Sequence, residues 1–218
     1  MTPTRVIDPA ARLRLEAAVI EAERSTSGEI VVNVVRACDE YGSAGWRLAV
    51  LLAALAFLGL AELHARWPLP WLEGHLIPAL FCAELVALLF GHALARVDAV
   101  RRLFVSEALL EHRVAERARR AFAERGLART AGRSGILLFV ALFERRAVVL
   151  ADEGIHRALG PDERWDDVVA PVLAGLRDGR AVDGLLAAVG RCGELLARRL
   201  PAAAREVNEL PDPVVLED

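Results

Sequence analysis

At 218 residues, with 55% apolar residues and a mean hydropathy of +0.33, the chain is too apolar for a wholly soluble protein and too polar for one mostly embedded in lipid. Its formal net charge of −3 excludes general nucleic-acid binding, which depends on a basic surface that neutralises phosphates.

Taken in chain order, Asp8-Pro9 is a helix start, an N-cap side chain followed by proline at the first helical position. Leu13, Ala17, Ile20 and Ala22 with intervening Arg and Glu predict an amphipathic helix to about Arg24, ended by Ser27-Gly28. Residues Glu29 to Arg36 are β-branched and almost continuously apolar, as expected of a strand covered on both faces. Two apolar runs follow, Trp46 to Leu63 and Leu76 to Ala95, each near the ~20 residues that cross a bilayer. Both are apolar all round, which favours a membrane hairpin over a buried one. The connection holds Trp67 and Trp71 beside prolines, as in an interfacial turn with aromatic anchors. From Arg96 to Arg125 there is no Pro or Gly, and Val97, Val100, Phe104, Leu110, Val114, Ala118 and Phe122 form a stripe. One long helix continuing the second run is expected there, with Gly126 closing it. Gly135 to Phe143 and Ala147 to Asp152 read as antiparallel strands joined at Glu144-Arg145-Arg146. Two helices, Asp166 to Arg177 and Ala181 to Leu200, are separated by Asp178-Gly179, and a proline-bearing tail from residue 201 is expected to be irregular. Three segments result: residues 1–45 and 96–200 as two parts of one α/β domain, and 46–95 as the hairpin inserted between them. The fold class is α/β, a small mixed sheet of at least three strands with helices on both faces.

TSGEIVVNVV after an amphipathic helix, then RTAGRSGILLFVALFERRAVVLADEGI, WDDVV, GRAVDGL and the closing NELPD resemble the TPM domain family. The resemblance is to a bacterial branch in which two membrane helices lie between the first two strands, and it runs from about Leu13 to Asp212. It implies a compact α/β sandwich. Some members of that family bind divalent cations and have been described as acid phosphatases, and others serve membrane complexes without chemistry. Two features depart from the soluble members: no secretory signal precedes the domain, and ADEGI stands where a more glycine-rich turn is usual. The resemblance thus implies a membrane-anchored binding or assembly accessory of a membrane complex, with a membrane-protein partner. The alternative is a divalent-cation-dependent phosphatase at the membrane surface.

No nucleophilic triad, P-loop or HExxH spacing is present. The histidines are scattered, and Cys38, Cys82 and Cys192 are odd in number with no CxxC, which suits a reducing compartment. Carboxylates remain, because Ca²⁺ or Mg²⁺ needs several oxygens converging from different segments. Asp152 and Glu153 end the third strand, and Asp39 and Glu40 follow the first; acids at strand ends are also commonly just solvated. Chain geometry separates the two pairs. The first strand runs toward the hairpin, and about 30 helical residues then carry the chain ~45 Å back. The second strand starts at that far edge and runs parallel to the first, and the third returns. Asp152 and Glu153 are therefore expected beside Ser27 and Glu29, as a site for a cation or partner, with Asp152 and Glu153 as the metal ligands. Arg145 and Arg146 are expected toward the membrane, as is Glu84 within it, where an ionised side chain costs ~2.5–3.5 kcal/mol. Arg36 and Arg47 before the hairpin, and Arg96, Arg101 and Arg102 after it, predict an inner-membrane protein with the domain and both termini in the cytoplasm.

Overall fold

The computed structural model describes residues 2–67, 75–130, 132–158, 164–202 and 214–218. Trp71, Ala131 and NELPD lie outside them. The described residues divide into two compact units, Met1–Cys38 with Leu110–Asp218, and Asp39–Leu109.

The first unit opens with a single helical turn, α1 (Pro3–Val6), and α2 (Pro9–Glu23). Asp8 caps α2 by accepting a hydrogen bond from the Ala11 N–H at 2.7 Å, and Pro9 needs no donor there. The buried stripe of α2 is Ala11, Leu15 and Val19, at intervals of one helical turn. Leu13 is 67% exposed and Ile20 also faces out, so the stripe expected from Leu13 and Ile20 lies on the wrong side of the helix. At the sheet centre is β1 (Glu29–Val35), with β2 (Gly135–Ala141), β3 (Arg146–Ala151) and β4 (Val214–Glu217) giving the order β3-β2-β1-β4. β2 is parallel to β1 in the register Glu29↔Gly135 to Val35↔Ala141, and β3 returns antiparallel with Ala151 opposite Ile136. These directions agree with those expected from chain geometry.

Both sheet faces are covered. Ile30, Val32, Val34, Ile136, Leu138 and Val140 pack with the buried residues of α2, α8 (Asp166–Arg177) and α9 (Ala181–Arg199). Val31, Val35, Leu137, Phe139 and Ala141 point the other way, onto Val114, Ala118 and Ala121 of α6 (Glu107–Glu124). Alternation of side chains across the pleat gives β1 and β2 one set for each layer, so both strands read as nearly continuous apolar runs.

Two expectations are corrected. The tail does not stay irregular: Val214–Glu217 forms β4, parallel to β1 with Val32↔Val214 and Val35↔Glu217. Nor is the stretch from the second apolar run to Arg125 one helix. Val97 takes extended backbone, Asp98 begins the short α5 (Asp98–Leu103), and α6 starts afresh at Glu107. An apolar stripe continues in register across such a break, so periodicity alone does not reveal it.

The second unit holds α3 (Gly42–Arg66) and α4 (Leu76–Leu94). They are antiparallel neighbours, since Gly91 of α4 lies against Ala49 and Gly45 of α3 faces His92. A Cβ at Gly91 would come within 2.6 Å of the Ala49 Cα, so only glycine permits this approach. The Arg47 guanidinium donates to the Phe104 carbonyl and that of Arg101 to the Glu40 carbonyl, which accounts for two polar groups at the open end of the hairpin. Only 17% of the most apolar stretch of α3, and 6% of that of α4, is buried. Both are long and apolar enough to cross a membrane.

Candidate functional site

The edge of the sheet where β1 begins gathers four segments. The chain entering β1 is tied to the end of α9: the Thr26 hydroxyl donates to the Leu200 carbonyl at 2.7 Å, and the Ser27 N–H donates to the same oxygen at 3.0 Å. The segment before β2 is held by hydroxyls. Thr130 Oγ1 accepts from the Ser134 N–H at 3.0 Å, and the Ser134 hydroxyl donates to the Ser27 carbonyl at 2.8 Å. Glu29 is half-buried, with its N–H on the Ser134 carbonyl at 3.1 Å.

After β3 the chain turns into α7 (Glu153–Ala158). The Asp152 N–H donates to the Gly135 carbonyl at 2.9 Å, so Asp152 stands at the same edge as Ser27 and Glu29. It is 7% exposed, and its Oδ1 accepts from the Glu153 N–H at 2.7 Å, where α7 begins. Its Oδ2 makes no hydrogen bond among the described residues and lies 3.5 Å from Arg133 Nε. Glu153 accepts from Arg133 at 2.9 Å and also pairs with Arg157. Gly154 is required here by packing: a Cβ would meet the Gly132 and Arg133 carbonyls at 2.6 and 2.7 Å. The glycine that in the sequence suggests a tight turn instead lets the 132–133 backbone cross the start of α7.

This donor set does not by itself fit a hard cation. Among the described residues no three His, Cys, Asp or Glu side chains gather as a metal site. Both acids of the pair already face arginine, and a divalent ion would have to displace Arg133 to collect its oxygens.

Sequence reasoning passes over the titrating group beside this edge. Glu23, at the end of α2, accepts from the Ile30 N–H at 2.8 Å. Burial raises its carboxyl to about 7, against the opposing effect of that hydrogen bond and with the help of the Glu29 carboxylate. The signal is present only as a Glu placed where α2 ends and β1 begins, a contact that appears once both are packed.

At the other end of the sheet, Arg145 sits exposed in the β2–β3 turn with φ +52°, and the half-buried Arg146 opens β3 opposite Ala141. From this end β1 leads on to Asp39 and Glu40, which fall in the second unit. Glu144 is fully buried and accepts from the Cys38 N–H at 2.8 Å. Burial and the Glu144 carboxylate push the Cys38 thiol well above its ordinary range, and burial takes Cys192 up to about 12, so neither is a reactive thiolate. Glu217 of β4 accepts from the Asn33 amide at 3.0 Å and from Arg125 at 3.1 Å, and pairs with Arg117. Burial alone would raise its carboxyl, but the Asn33 amide and the two guanidiniums outweigh it and hold it below the usual value. In the second unit, Glu84 Oε1 of α4 is buried without a hydrogen-bond partner among the described residues.

An open cleft of 430 Å³ lies on the outer side of α8 and α9, lined by Arg164, Asp167, Arg191, Glu194 and Arg198 among others. Arg164 is bonded to Asp166, and Arg191 to the Asp167 carbonyl. Nothing in the sequence pattern marks it, because its charges come from α8, α9 and the residue Arg164 ahead of α8.

Residues 96–195 match the model of the TPM domain family, the part of the chain from α5 through most of α9. The fold is similar to the NMR structure of the BA42 protein from the psychrophilic bacterium Bizionia argentinensis, with a TM-score of 0.57 and 17% identity over 96% of this chain and 94% of that one. At that identity the likeness is one of fold. No curated protein sequence matches this chain. The resemblance read from the sequence motifs is thus met by the domain match and by the mixed sheet with its two long apolar helices.

Proposed function

We propose that this TPM-domain chain is anchored in the cell inner membrane by α3 and α4 and serves a membrane complex as a binding or assembly accessory. The observation that carries this reading is the bare apolar surface of the hairpin, since uncovered helices of this length need lipid or protein around them. The acids at the β1 edge support an accessory over a phosphatase. Asp152 and Glu153 are engaged by Arg133 and Arg157, so their carboxylates are committed to ion pairs. In this reading the sheet domain and both termini face the cytoplasm, with Arg47, Arg96, Arg101 and Arg102 on that side. Arg145 and Arg146 then lie toward the headgroups, and Ser27, Glu29, Asp152 and Glu153 form the edge offered to a partner.

The test is purification of the full chain from mildly solubilised native membranes, followed by a phosphate-ester assay with and without Mg²⁺ or Ca²⁺. The expected result is co-migration with a membrane protein in fixed proportion and no cation-dependent hydrolysis. A chain that migrates alone and hydrolyses the ester, with the activity lost in Asp152→Ala, overturns the proposal in favour of the phosphatase.

A further inference from the structure

The helix broken at Val97 and again at Phe104 leaves α5 between the breaks, and α5 is turned inside out. At helical spacing Asp98, Arg101 and Arg102 share one side, and Ala99, Val100 and Leu103 the other. A helix in water turns its charged side outward. Here the side chains of Asp98, Arg101 and Arg102 are at most 33% exposed, whereas Leu103 is 81% exposed and Ala99 faces out with it. The charged side also holds α5 in place. Arg101 donates to Asp98 at 2.8 Å and to the Glu40 carbonyl ahead of α3, and Arg47 of α3 donates to the Phe104 carbonyl at the end of α5. The polar side is thus tied to the start of α3, and the apolar side is left bare.

The surroundings say what covers it. Exposed apolar side chains continue along the chain from Leu89 and Phe90 of α4 through Val97 to Leu103, so the bare side of α5 extends a surface that already calls for lipid. Trp46, exposed near the start of α3, lies with its ring centroid 5.4 Å from that of His92 near the end of α4. An amphipathic aromatic ring therefore stands at the same end of the hairpin as α5, the place Trp takes at a membrane–water boundary. Arg96, between α4 and α5, is exposed and makes no ion pair among the described residues. A phospholipid leaflet offers both chemistries at this level, acyl chains for Leu103 and phosphates for Arg96.

We propose that α5 is an interfacial helix, lying in the plane of the bilayer with Ala99, Val100 and Leu103 at the acyl boundary and Arg96 among the headgroup phosphates. The inference rests on the membrane anchoring proposed above and adds to it a contact that neither spanning helix supplies. A helix with one apolar and one charged side resists both sinking into the acyl chains and withdrawing into water, so α5 fixes the depth of the open end of the hairpin.

Nitroxide labels on the full chain in vesicles of phosphatidylethanolamine and phosphatidylglycerol test it. Three variants, each with Cys82→Ala, carry the label at Leu103→Cys, at Phe81→Cys on α4 as the lipid reference, and at Leu13→Cys on α2 as the water reference. All three side chains are exposed, so the label displaces no packed group. The ratio of collisions with oxygen to collisions with a water-soluble nickel complex should be at least about threefold higher at Leu103 than at Leu13, and lower than at Phe81. A ratio at Leu103 equal to that at Leu13, with Phe81 still lipid-like, overturns the interfacial helix and leaves the anchoring intact. Water-like ratios at both Leu103 and Phe81 overturn the anchoring and this inference with it. A Leu103 label shielded from both reagents means that protein covers α5, which also overturns the proposal. On the unaltered chain, a photoactivatable phospholipid should attach to the tryptic peptide that begins at Leu103, and attachment to α4 peptides alone would count against α5 in the same way.

Discussion

The two units spend similar apolar sequences in opposite ways. In β1, six of seven residues are buried, divided between two helical layers. In α4 Gly91 alone is buried, while Phe81, Val86 and Phe90 are exposed. Apolar content therefore does not decide where a segment goes. Short β-branched runs that alternate between two layers build a core, whereas helices apolar on every side leave surface that only lipid or a partner can cover.

Substitutions separate the two units by what they damage, and the largest effect belongs to the sheet. Phe139 is fully buried on the α6 side, so Phe139→Ala should destabilise the sheet domain by about 3–5 kcal/mol. Chemical denaturation followed by a domain-specific probe measures this, and helicity of the hairpin in detergent should not change. An equal loss in both units would mean that they fold as one.

Leu89 is exposed on α4, where a water-facing helix would accept a charge at little cost. In a bilayer Leu89→Arg should cost ~2.5–3.5 kcal/mol of insertion and lower the share of protein that resists alkaline extraction. The denaturation midpoint of the sheet domain should stay unchanged. A variant that inserts as well as the unaltered chain would break the contrast between the units.

Most elements of both units are legible in the sequence, and the misses have physical causes. Asp8-Pro9 and Gly126 mark helix ends through local chemistry, and the β-branched run of β1 marks a strand without help from the rest of the chain. β4, VVLE, has β-branched residues too, but the run is only four long, and the partners that fix it, β1 for its main chain and Arg117, Arg125 and Asn33 for Glu217, are distant in sequence. The breaks at Val97 and Phe104 escape for the opposite reason, since the residues there suit a helix and the carbonyl of Phe104 finds Arg47 from another helix. At the candidate site, chain geometry places Asp152 beside Ser27 and Glu29, but the pairing of both acids with Arg133 and the burial of Glu23 arise only on packing.

The smallest effect is electrostatic and again specific to the sheet domain. The folded state holds a proton on Glu23 up to about pH 7, whereas an ordinary glutamate carboxyl releases it near 4.5. Between those values the folded chain binds more protons than the unfolded one, so this group makes stability fall as pH rises, with the full penalty present above about 7. Glu23→Gln keeps an acceptor for the Ile30 N–H and removes the ionisation. It should flatten that part of the stability profile and stabilise the domain at pH 8 by on the order of 1 kcal/mol, after allowance for solvent screening. A variant with an unchanged slope between pH 5 and about pH 7 would contradict the burial of this carboxyl.

The native cysteines offer the most direct measurement. Cys82 is exposed on α4, whereas Cys38 is half-buried and Cys192 buried, so in water Cys82 is the thiol a reagent should reach first. In a bilayer the same position is shielded from water, and a thiol without water does not form the reactive thiolate. Maleimide labelling of the full chain in lipid vesicles, mapped by mass spectrometry, should leave Cys82 unmodified until the lipid is replaced by denaturant. Rapid labelling of Cys82 in intact vesicles would contradict the placement of the hairpin in the membrane.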